Sequence, residues 1–97
     1  MVYMAEEIMQ LARKVVSRVS DEEVLKALLI SYLERRLDEC RGKIRDFELK
    51  YGMNFEEFEK RLSIDFPLTY EHEMDYARWG ALLDEVEELE KLLRKLR

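Results

Sequence analysis

Apolar residues along the chain recur at steps of three and four almost from the start, and polar residues fill the positions between them. Met4, Ile8, Leu11, Val15 and Val19 make one stripe at helical spacing, which predicts a first helix over about Tyr3 to Val19. Ser20-Asp-Glu-Glu23 has the form of a capping box, in which the serine hydroxyl accepts from a first-turn amide and the glutamate reaches back. A second helix is therefore expected from there to Tyr51, with Gly52 as the left-handed residue that ends it. Within that helix Leu33, Leu37, Cys40, Ile44, Phe47 and Tyr51 form a heptad seam. Asn54-Phe-Glu-Glu57 is a second capping box and opens a short helix over 54–62, with Phe55, Phe58 and Leu62 on one side. Ser63 to Leu68, which contains Pro67, reads as loop. Thr69 caps a last helix running to Arg97, whose seam is Trp79, Leu82, Val86, Leu89, Leu93 and Leu96.

Two heptad seams joined by a short connection predict an all-α fold: an antiparallel helical hairpin with a short N-terminal helix and a short connecting helix at the bend. The whole is expected to be a single domain over 1–97, with the N-terminal helix at 1–19 and the hairpin at 20–97. Facing Leu37 with Leu96, Cys40 with Leu93, Ile44 with Leu89, Phe47 with Val86 and Tyr51 with Leu82 aligns every layer. The flanking pairs Glu34–Arg97, Arg41–Glu90 and Lys50–Glu85 are then complementary, whereas a slide of one heptad sets Glu34 against Glu90 and Lys50 against Arg78. Each exposed pair contributes only ~0.5 kcal/mol, so charge selects among registers and does not hold the fold. The same alignment works between two chains, which keeps a swapped dimer open. Leu28, Leu29, Tyr32, Leu83 and Leu92 lie off the seam and need cover, some of it from the first helix and the rest from a partner or a second copy.

Composition agrees with this architecture. Of the 97 residues, 40% are charged and 47% hydrophobic, a Glu/Lys/Arg/Leu profile typical of helical hairpins and coiled coils. The net charge of −5 is unevenly spread: residues 1–20 carry +1, 21–52 −1, 53–68 −2 and 69–97 −3. An acidic domain is ill suited to neutralising phosphates by itself, so nucleic acid is not an expected partner of the isolated chain, while a basic protein is. No stretch approaches the length of a membrane span, and no basic, then apolar, leader precedes the first helix. A cytoplasmic location is the expectation.

Candidate chemistry is sparse. There is no glycine-rich phosphate loop, no paired-cysteine metal spacing and no nucleophile beside a base, so neither an enzyme nor a cofactor is expected. Cys40, the sole cysteine, falls on the seam and reads as a small core residue. His72, the sole histidine, sits in Glu71-His-Glu-Met-Asp75 without enough ligands for a useful metal site, and reads as a solvated helix residue. Glu56–Glu57 and Glu87–Glu88 are sequence neighbours and point in different directions on a helix, so they read as solvated charge. The bases between Arg35 and Arg45 alternate with acids around the helix and make no phosphate-binding stripe. The aromatic set Phe47, Tyr51, Phe55, Phe58, Phe66, Tyr70, Tyr76 and Trp79 clusters at the bend, where it can lock the connecting helix and also offer anchors to a partner.

The run Phe47-Glu-Leu-Lys-Tyr-Gly-Met-Asn-Phe-Glu-Glu-Phe-Glu-Lys-Arg-Leu62, followed by Tyr70-Glu-His-Glu-Met-Asp-Tyr-Ala-Arg-Trp79 and a leucine-rich tail, resembles a group of small archaeal and cyanobacterial proteins described as antitoxins of toxin–antitoxin modules. Lys50, Tyr51, Gly52, Met53, Phe55, Phe58, Asp75 and Trp79 carry the likeness, which runs from the second half of the second helix to the C-terminus. The resemblance implies a protein that masks a small basic toxin by occlusion, with no catalytic residues to transfer. The expected contact residues are Phe55, Phe58, Tyr70, Tyr76, Trp79, Leu83 and Leu92. No DNA-binding module is visible in the pattern. The alternative expectation is a self-associating structural or adaptor coiled-coil domain, a homodimer with no toxin partner.

Overall fold

The computed structural model describes the backbone at residues 2–16 and 20–97 and the side chains at 5–14 and 20–97. Among the described residues four helices follow in order: α1 (Val2–Val16), α2 (Asp21–Tyr51), α3 (Phe55–Arg61) and α4 (Tyr70–Leu96). The all-α class is as expected, and among the described residues there is no strand, only an isolated bridge between Leu62 and Phe66. The last residues of the expected first helix, 17–19, and the stripe side chains Met4, Val15 and Val19 lie outside what is described.

Helix ends follow local chemistry. The Glu23 amide donates to Ser20 Oγ at 3.1 Å, and Asp21, Glu22 and Glu23 place negative charge on the first turn of α2, where the helix dipole favours it. That helix stops where Gly52 adopts φ 68° and donates its amide to Glu48 O at 2.7 Å. Asn54 Oδ1 accepts from Glu57 N at 2.9 Å to start α3, and Thr69 Oγ1 accepts from His72 N at 3.2 Å to start α4.

The chain forms two compact units, residues 1–32 and Leu33–Arg97. The first comprises α1 and the opening turns of α2, and no described side chain in it is buried. Leu28, Leu29 and Tyr32 are exposed there, so α1 does not provide the cover expected for them.

The second unit is the hairpin, formed by the rest of α2 with α3 and α4. Its buried apolar set is Leu33, Leu37 and Cys40 from α2, Phe58 from α3, and Trp79, Leu89 and Leu93 from α4. Each leucine and the phenylalanine among them contributes about 1.5–3 kcal/mol by leaving water. The register differs from the charge-matched one. Glu34–Arg97 and Arg41–Glu90 (2.8 Å) form as expected, but Lys50–Glu85 does not. Lys50 instead reaches Asp75 at 2.6 Å and Glu71 at 2.7 Å, and Glu85 pairs with Arg36. Phe47 stacks on Trp79 at 5.5 Å rather than facing Val86, and Tyr51 meets Trp79 and Asp75 rather than Leu82. The aromatic end is thus displaced by about one heptad, and Lys50 and Arg78 line one groove despite their like charge. Long arginine side chains satisfy their partners from either backbone register, whereas a buried indole fits in one place only, so packing overrode the half-exposed ion pairs.

Candidate functional site at the hairpin tip

The tip begins with the aromatic base that α3 lays across the two long helices. Phe58 is fully enclosed, with its ring centroid 4.2 Å from Tyr51, 5.4 Å from Phe66 and 5.5 Å from Trp79. Trp79 is equally enclosed among Phe47, Tyr51, Phe55 and Phe58. Its Nε1–H is buried without a hydrogen-bond partner, so the indole is held by ring packing alone.

Below the rings, Asp75 is the one buried charged residue among those described, at 6% exposure. Lys50 Nζ donates to its Oδ2 at 2.6 Å and Tyr51 OH donates to the same oxygen at 2.5 Å, which ties α4 to the last turn of α2. Burial acts to raise the Asp75 pKa, but the hydrogen bonds from Lys50 and Tyr51 outweigh it and the carboxyl lies below its ordinary value. Burial, reinforced by the neighbouring carboxylate, pushes the Tyr51 phenol up to about 12. Lys50 is also raised, chiefly by its bonds to Asp75 and Glu71. Near neutrality Asp75 and Lys50 are therefore ionised, the Tyr51 phenol keeps its proton, and the three are hydrogen-bonded as a strut with no proton poised for transfer.

Residues 62–69 form a built loop. Ser63 N donates to Phe66 O at 2.8 Å, and Arg61 O accepts from Ile64 (3.0 Å), Asp65 (2.9 Å) and Phe66 (3.2 Å). Ser63 sits at φ 73°, a left-handed conformation that a non-glycine residue holds only when its surroundings impose it. The Phe66 ring drops into the base against Tyr51, Phe58 and His72. His72 Nδ1 lies 2.7 Å from Pro67 O; a carbonyl can only accept, so the imidazole donates there. The histidine is thus half-buried and latches the loop, a departure from the solvated residue expected.

This clamped backbone leaves three large apolar side chains in solvent: Ile64 at 79% exposure, Leu68 at 59% and Tyr70 at 78%. Asp65 and Glu71, both more than half exposed, stand among them. Of the seven expected contact residues, Tyr70 is at this surface. Phe55, Tyr76 and Leu83 together line a groove of about 440 Å³, with Tyr76 OH donating to Glu59 at 2.5 Å, and Leu92 is at the edge of exposure on α4. Phe58 and Trp79 are corrected: both are wholly enclosed and act as packing residues with no surface to offer. Ile64 and Leu68 escaped the sequence reading because a loop has no periodicity to show which side chains turn outward; two apolar residues within three positions of Pro67 were the available signal.

Other chemistry is thin. Cys40 is 1% exposed and its thiol is pushed up by burial, then by the Glu85 carboxylate, as suits a core residue. A second groove, of about 450 Å³, is lined by Phe47, Ala81 and Leu82 with the bases Lys43, Lys50 and Arg78 and the acids Asp46 and Glu85. Among the described residues, no three His, Cys, Asp or Glu side chains group as a metal site, and no helix is long and apolar enough to cross a membrane. No curated protein and no solved structure matches the chain. A family model does, over residues 1–97: the chain belongs to the MJ0235 family, described as a family of uncharacterized proteins.

Proposed function

We propose that this protein is a non-enzymatic, protein-binding module that masks a small basic partner through the hairpin tip, in the manner of an antitoxin. The observation that supports this reading is the rigidly held tip with Ile64, Leu68 and Tyr70 in solvent. Holding a loop this firmly while exposing its apolar side chains favours recognition, because the ordering cost of binding is met in the free protein. Asp65, Glu71 and the overall charge of −5 steer a basic partner toward it. Occlusion requires only that the tip lie over the partner's working surface, which accords with the ionised, solidly bonded state of Asp75. The toxin identity of the partner rests on the resemblance of residues 47–79 to antitoxin-like proteins.

The test is recovery of the tagged chain from its native cells beside an Ile64→Ser/Leu68→Ser/Tyr70→Ser variant. A small basic companion that halts growth alone, is silenced by the wild-type chain and binds the variant at least about tenfold more weakly, with thermal unfolding unchanged, supports masking by the tip. A companion held equally by the variant rejects the tip, and recovery of the bait alone rejects the masking function in favour of the self-associating domain.

A further inference from the structure

Leu25, Leu28, Leu29 and Tyr32 of α2 stand at i, i+3, i+4 and i+7 and so share one face of the helix. They are 66%, 64%, 42% and 57% exposed. A contiguous stripe of this kind, unlike scattered apolar residues, marks a surface that is covered in use. The charges at its two ends indicate by what. Asp21 and Glu22 lie four and three residues before Leu25, and Arg35 and Arg36 lie three and four residues after Tyr32, all on the stripe's own face. The order is acid, apolar, base. Reversed about the point between Leu28 and Leu29, it becomes its own electrostatic complement.

We propose that a second copy of this chain covers the stripe, with the two α2 helices antiparallel and a two-fold axis passing between Leu28 and Leu29. Leu25 then faces the second copy's Tyr32, Leu28 its Leu29, and Asp21 the Arg35 on the same flank. Glu22 shares the other flank with Arg36, but Arg36 is already bonded to Glu39 and Glu85, so the Asp21–Arg35 pairs carry the charge recognition. Such an interface is isologous: one patch, used twice, closes the assembly as a dimer. Parallel pairing would align acid with acid and base with base, and the helix dipoles also prefer the antiparallel arrangement. Ile64, Leu68 and Tyr70 are not members of this stripe, so their substitution leaves it unchanged.

Sedimentation equilibrium of the purified full chain, from micromolar to several hundred micromolar, tests the assembly. The expected result is a monomer–dimer equilibrium that Leu28→Glu shifts toward monomer by at least about tenfold, with helicity retained. Asp21→Arg and Arg35→Glu should each weaken the dimer, and the two combined on one chain should restore it. Orientation is read by oxidative cross-linking. A cysteine at position 28 is offset from its symmetry mate by one residue, about 1.5 Å along the axis, and should cross-link; one at position 25 is offset by seven, about 10.5 Å, and should not. A chain monomeric throughout, a dimer indifferent to Leu28→Glu, charge reversals that do not compensate, or equal cross-linking at 25 and 28 would each overturn the proposal. The Ile64→Ser/Leu68→Ser/Tyr70→Ser variant should dimerise like the wild type, which keeps this result independent of the tip's role.

Discussion

Removing the buried charge at Asp75 while keeping its shape tests whether the strut holds the hairpin closed. Asp75→Asn retains the volume of the side chain but leaves Lys50 with Glu71 alone and offers Tyr51 OH only a neutral acceptor. A hydrogen bond to a charged group contributes about 1.5–3 kcal/mol and a neutral one about 1, so the Tyr51 bond loses about 1 kcal/mol. Lys50 is 44% exposed and regains water, which limits the loss of its ion pair to about 1 kcal/mol. The expected destabilisation is therefore about 2 kcal/mol at neutral pH, equivalent to roughly 8–16 °C in Tm for a domain of this size. The assay is urea denaturation followed by helical circular dichroism, repeated with Tyr51→Phe and the double variant. The double-mutant cycle should give a coupling of about 1 kcal/mol.

The pH dependence supplies a second check on the same residue. Asp75 is depressed in the folded state, so its stabilisation is present above the unfolded carboxylate pKa and is lost as pH falls through the lower folded value. The gap between wild type and Asp75→Asn should accordingly close in the acid limb. Equal stability of the two at neutral pH, or a gap that does not change with pH, would refute the strut.

The remaining predictions follow the same physics. Tyr51 has its folded pKa raised to about 12, so its contribution is complete below the unfolded value near 10 and is lost between about pH 10 and 12. Alkaline denaturation of Tyr51→Phe should lack that part of the loss, and curves of identical shape would reject it. Gly42 lies inside α2, where an added Cβ would come no closer than 3.9 Å to the end of the Arg45 side chain, so Gly42→Ala should stabilise by about 1 kcal/mol in urea denaturation. Gly52→Ala, at φ 68°, should instead cost about 1 kcal/mol although nothing lies within 4 Å of the new Cβ.

Secondary structure was legible in the residues because its determinants are local. Ser20, Asn54 and Thr69 each bond an amide within three residues, and Gly52 turns the chain through its own φ, so the starts and stops of α2, α3 and α4 need no knowledge of the rest of the molecule. The hairpin itself followed from two seams of matching period. The tertiary structure decided the register, because a heptad pattern maps onto itself after a slide of seven residues and only a unique feature breaks the tie. Flexible ion pairs were the feature available to sequence reasoning, and they bridge either register. The enclosed Trp79 and the Asp75 carboxylate, bonded by Lys50 and Tyr51, do not.

Packing also divided the aromatic cluster in a way that composition cannot. Phe58 and Trp79 went into the base, Phe55 and Tyr76 to a groove, and Tyr70 to the solvent. Which of several similar rings is covered depends on how α3 crosses the two long helices, and that crossing is set by contacts between residues far apart in sequence. Ile64 and Leu68 face water for the same reason: the bonds to Arg61 O and the inserted Phe66 ring fix the loop, and its remaining apolar side chains are left outside.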